Sequence, residues 1–98
     1  LHPLQGADIT DPEEANDQGT LAFKEKDWRR ASERFSRAID LAQDSNEPKA
    51  VYFGNRAKAA LKMGNGLQAV EEGGQATQIA PDFAKGYVRY RRACVRQQ

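Results

Sequence analysis

The chain has 98 residues, an apolar fraction of 39%, a charged fraction of 30% and a net charge of +1, which is enough for one small domain with a modest core and a well-solvated surface. No apolar run of about eighteen residues occurs, so no membrane-spanning helix is expected. A single cysteine (Cys94) and a single histidine (His2) exclude an internal disulfide framework and a zinc site. With no secretory signal in LHPLQGADIT, they predict a reducing, cytoplasmic setting.

Residues 1–10 lack periodicity, contain Pro3 and Gly6, and read as a flexible tail ahead of a domain over 11–98. DPEEA opens the first helix: Asp11 is a good N-cap, Pro12 suits the first helical position, and Glu14 completes a capping-box-like spacing. Ala15, Gly19, Ala22 and Phe23 follow at helical spacing. After a break at EKD, Asp27 can cap a second helix, whose apolar stripe is Trp28, Ala31, Phe35, Ala38, Ile39 and Ala42. QDSNEP is a loop by composition, and Pro48 can start a third helix with Val51, Phe53, Ala57, Ala60 and Leu61 on its apolar face. Gly64 suits a left-handed C-cap. A fourth helix holds Leu67, Ala69, Val70, Ala76 and Ile79, with Gly73 and Gly74 inside it. Each of those glycines costs about 1 kcal/mol relative to alanine, a cost that makes sense where another backbone comes close. Pro81 precedes a fifth helix carrying Phe83, Tyr87 and a set of cations. The fold class is all-α, with five helices.

The segments WRRASERFSRAIDLA and GLQAVEEGGQATQIA align, with Ala31 over Ala69 and Ala38 over Ala76 at a spacing of 38. Ala50 then aligns with Ala84 and Phe53 with Tyr87 at a spacing of 34, the period of a helix–turn–helix repeat. On these residues the chain resembles the tetratricopeptide repeat over 12–96. The resemblance implies two hairpins (about 11–45 and 48–80) and a C-terminal capping helix (about 82–97). Small residues where paired helices cross (Gly19, Ala31, Ala38; Ala57, Ala69, Ala76) fit it, because close helix approach requires contact positions without bulk. Gly66 departs from it, standing where the family usually has an aromatic. Arg91 stands where the fifth helix would normally face a partner, so that helix is expected to be a polar-faced cap.

Charge is distributed unevenly. Residues 1–27 hold seven acids against Lys24 and Lys26, whereas no acid follows Asp82. Lys85, Arg89, Arg92 and Arg96 lie on one helical face. In repeat register Lys24, Lys62 and Arg96 are equivalent, as are Lys58 and Arg92, with Thr20 at that place in the first unit.

NRAKAALKMGN, AVEEG and PDFAKGYVR resemble co-chaperone tetratricopeptide domains, which bind heat-shock chaperone tails ending Glu-Glu-Val-Asp. In those domains a Lys and an Asn on the first helix, an Asn on the third, and a Lys and an Arg on the fifth grip the terminal Asp. Asn55, Lys85 and Arg89 match that pattern. Asn16 stands at the lysine place and Thr20 at the asparagine place, both still able to donate hydrogen bonds. Losing the lysine and exchanging amide for hydroxyl is expected to cost about 1–3 kcal/mol, or to redirect the groove to another acidic peptide.

The resemblance thus implies a monomeric, non-enzymatic module that binds an acidic chain end in a basic groove. Asn55, Lys85, Arg89, Asn16, Thr20, Lys58, Lys62 and Arg92 are the candidate contacts. A solvated surface remains the alternative for the lysines, and an oligomerisation scaffold the alternative for the whole chain. No cofactor, metal, nucleic acid or membrane partner is expected. The pI of about 8.1 is low for a nucleic-acid binder, and no phosphate loop or nucleophile beside a usable His occurs.

Overall fold

The computed structural model describes residues 9–42 and 47–79. Four helices lie within them: α1 (Pro12–Lys24), α2 (Trp28–Leu41), α3 (Glu47–Lys62) and α4 (Gly66–Ile79). The expected fifth helix falls outside the described residues, as does most of the expected tail. Ile9, assigned by composition to that tail, is instead 1% exposed and sits in the core beside Ala15, Ala38, Ile39 and Tyr52. Its carbonyl oxygen accepts a bond from Arg37 Nε on α2 at 3.2 Å, so the packed unit begins before the first helical turn.

α1 starts at Pro12 with Asp11 as N-cap, but the Asp11 side chain makes no capping bond. Glu13 and Glu14 in the first turn complement the positive helix end through charge rather than through the expected capping box. The α1–α2 turn is closed by Asp27 N–H to the Ala22 carbonyl (2.9 Å) and Lys26 N–H to that of Phe23 (3.0 Å). This is a Schellman motif with Lys26 in the left-handed region at φ 63°. The α3–α4 turn repeats it: Asn65 N–H bonds the Ala60 carbonyl (2.9 Å), Gly64 N–H bonds that of Leu61 (3.0 Å), and Gly64 has φ 80°. Asp27 then caps α2 by accepting from Arg30 N–H, and Asn65 caps α4 by accepting from Gln68 N–H. The two helical hairpins are therefore built by the same hydrogen bonds.

Alanines dominate the helix contacts. Ala22, Ala31, Phe35 and Ala59 form one cluster, Ala57, Ala60 and Ala69 a second, and Ala50 with Ala76 a third. Gly19 lies against the Phe35 ring so closely that a β-carbon there would fall 2.5 Å from it. α3 is packed on two sides, against α2 and α4, which turns its faces differently from the expected stripe. Tyr52 is buried, whereas Val51 is 37% exposed on the outward row Val51, Asn55, Lys58, Lys62. Leu67, expected in the core, is 63% exposed, because the inward row of α4 is Gly66, Ala69, Glu72, Gly73 and Ala76.

Candidate peptide-binding groove

α1 and α3 run side by side in the same direction: Ala15 shares a cluster with Tyr52 near their starts, and Ala22 shares one with Ala59 near their ends. This brings the outward row of α3 next to Asn16, Thr20 and Lys24 of α1. Between them opens a groove of about 160 Å³ lined by Thr20, Phe23, Lys24, Phe35, Asn55 and Lys58. Two aromatic rings belong to its lining, and polar and cationic groups make up the rest.

Asn55 Nδ2 donates to Asn16 Oδ1 at 2.8 Å, joining residues 39 positions apart in sequence. Thr20 Oγ1 donates to the Asn16 carbonyl at 3.1 Å. In this arrangement the hydroxyl proton of Thr20 is engaged within its own helix, and its oxygen lone pairs are what the side chain offers outward. Four candidate contacts, Asn16, Thr20, Asn55 and Lys58, are gathered at one place, with Lys24 beside them. Lys62 is on the same row, but its ammonium lies 5.7 Å from the centre of the Trp28 ring, in a cation–π contact. Trp28, expected in the core, is half-buried and packs edge-on against Phe23 with ring centres 4.9 Å apart. Lys85, Arg89 and Arg92 lie outside the described residues.

The Tyr52 hydroxyl is held above its ordinary pKa of 10.0, first by burial and then by the carboxylates of Glu13, Asp11 and Asp17. Along α1, acids therefore lie toward its start, near Tyr52, while Lys24 lies at its end in the lining of the groove. Phe23, which Lys24 flanks, stands in the sequence simply as one of the apolar residues at helical spacing in α1; its groove-facing role depends on α3, and the α1 pattern alone does not signal it. Among the described residues no group of three His, Cys, Asp or Glu could hold a metal ion. None of their helices is long and apolar enough to cross a membrane.

No family model matches the chain, and no solved structure matches it significantly. Curated sequences do. Small glutamine-rich tetratricopeptide repeat-containing protein 2 of Mycosarcoma maydis is 37% identical over 82 residues, covering 84% of this chain and 22% of that protein. Outer envelope protein 64, chloroplastic, of Arabidopsis thaliana is 47% identical over 58 residues, 59% of this chain and 9% of that protein. Heat shock protein STI1 of Saccharomyces cerevisiae is 31% identical over 77 residues, 79% of this chain and 13% of that protein. The chain spans about a fifth or less of the length of these relatives. What such differently named proteins share with it is one helical segment. With two hairpins closed by the same bonds and packed through small residues, the chain belongs to the tetratricopeptide-repeat proteins.

Proposed function

We propose that this chain is a docking module, not an enzyme, and that its concave groove takes the acidic C-terminus of another protein. The tail of a cytoplasmic heat-shock chaperone ending Glu-Glu-Val-Asp is the leading candidate. The observation that carries this reading is the grouping of Asn55, Thr20, Lys24 and Lys58 around one opening. Two lysines beside amide and hydroxyl groups suit an anionic peptide end, since charge-assisted hydrogen bonds are about twice as strong as neutral ones. A relative named as a heat shock protein supports the chaperone class of partner. In this reading the peptide is also contacted by Lys85, Arg89 and Arg92, which lie outside the described residues, and Lys62 borders the groove from its perch on Trp28.

The test is a titration of the purified chain with a pentapeptide ending Glu-Glu-Val-Asp, as free acid and as C-terminal amide. The free acid should bind at least tenfold more tightly, and Lys58→Glu should weaken it further. Equal affinity for both forms, or none for either, eliminates recognition of the chain end. Reversible self-association without peptide binding would instead make the chain an oligomerisation scaffold.

A further inference from the structure

The inference rests on the docking function proposed above and concerns what the first-helix side of the groove reads. A carboxylate offers only acceptors, so a site built for it alone presents only donors. The groove here is not built that way. Thr20 spends its proton on the Asn16 carbonyl, and what it presents is an oxygen lone pair. Asn55 spends one N–H on Asn16 Oδ1, which leaves its other N–H as donor and its own Oδ1 as acceptor. The Asn16 amide nitrogen adds a donor that no described residue takes up. Donors and acceptors alternate over a few ångströms, the pattern that complements a peptide group with its N–H on one side and its C=O on the other.

Formal positive charge enters one helical turn further along each helix, at Lys24 on α1 and Lys58 on α3, both lining the same opening. Flexible lysine stems easily bridge the distance between a terminal carboxylate and the peptide group next to it. The two substitutions that depart from the co-chaperone pattern, Asn16 and Thr20, are thus the residues that create the mixed character. We propose that Thr20 Oγ1 accepts the last main-chain N–H of the bound chain, that the Asn16–Asn55 pair donates to the neighbouring carbonyl, and that Lys24 and Lys58 take the terminal carboxylate.

The experiment compares three versions of one peptide ending Glu-Glu-Val-Asp: the free acid, its C-terminal amide, and a depsipeptide in which an ester oxygen replaces the last N–H. Each is titrated by calorimetry against the wild-type chain, Thr20→Val and Thr20→Ser. Thr20 is exposed, so neither variant disturbs the core. In the wild type the ester should weaken binding by about 2- to 10-fold, the range for one neutral hydrogen bond. Thr20→Ser keeps that penalty, and Thr20→Val abolishes it by removing the acceptor. An ester that binds the wild type as tightly as the parent, or a penalty that persists in Thr20→Val, overturns the peptide-group assignment and leaves the docking function standing. A free acid that binds no version of the protein removes both.

Discussion

Gly19 and Phe35 form the tightest crossing between α1 and α2. A methyl group at position 19 would lie 2.5 Å from Cδ1 and Cε1 of a ring that is itself 2% exposed. Alanine gains about 1 kcal/mol of helix propensity, but overpacking a filled core costs about 1–3 kcal/mol, and the fixed ring makes the cost win. Gly19→Ala should therefore lower stability by up to about 2 kcal/mol, read as a fall in the urea midpoint with an unchanged m-value. Tyr52 makes a different prediction. Its folded pKa is raised above the 10.0 of an unfolded tyrosine, by burial first and then by Glu13, Asp11 and Asp17. Below pH 10 both states keep the proton and its contribution is fully present. As pH rises through the folded pKa, the unfolded chain has already ionised and that contribution is lost. Stability should fall more steeply above pH 10 in the wild type than in Tyr52→Phe, as measured by denaturant midpoints at matched pH.

At the scale of the elements, turns and a buried polar network set how the helices meet. Lys26 adopts φ 63° where the second hairpin has Gly64 at φ 80°. A side chain in the left-handed region costs about 1–2 kcal/mol, part of which glycine returns through its looser unfolded chain. Lys26→Gly should stabilise the chain by about 0.5–1 kcal/mol in thermal unfolding. Gly64 has open space around an added β-carbon, so backbone strain alone should make Gly64→Ala destabilising. Further along α3, Arg56 Nε reaches Glu72 of α4 at 2.5 Å while its Nη1 donates to Ser36 of α2 at 2.9 Å. The Arg56 side chain is 21% exposed and that of Glu72 9%, and Gln68 Nε2 also donates to Glu72 at 3.1 Å. This network ties three helices at Arg56, the residue that follows Asn55 on α3. Glu72→Ala should cost about 2 kcal/mol, because a half-buried guanidinium loses its anion. Glu72→Gln, which keeps the shape, should cost less in the same chemical denaturation series.

At the scale of the molecule, contacts among the described residues run from each helix to the next: α1 on α2, α2 on α3, α3 on α4, with α1 and α3 making few contacts with each other. Stability in such a stack is a sum of local units and neighbour interfaces. Hydrogen exchange should therefore be slowest in α2 and α3, which are covered on both sides, and faster in α1. Protection that is uniform across the helices would contradict a linear stack. The same arrangement explains why α1 and α3 shape a groove: they meet through little more than the Asn16–Asn55 bond and the alanine clusters beneath it, leaving their outward rows open.

The four described helices, the Asp27 and Gly64 caps and the small residues at the helix crossings were legible in the sequence because each depends on local rules: 3.6-residue periodicity, capping and turn chemistry, and a self-similar spacing of 38. Tertiary packing decided the rest. Val51 turned outward and Tyr52 inward because α3 has neighbours on two sides, and Leu67 turned outward because the buried row of α4 is Gly66, Ala69, Glu72, Gly73 and Ala76, facts no single-helix stripe contains. Ile9 joined the core by packing on Ala15, Ala38, Ile39 and Tyr52, while Arg37, far from it in the chain, bonds its carbonyl. Asn16, Thr20 and Asn55 could be named from their positions, but whether each gives or takes a proton follows from which neighbour it reaches first. Periodicity places a side chain on a face; only the contact across helices sets its hydrogen-bonding role.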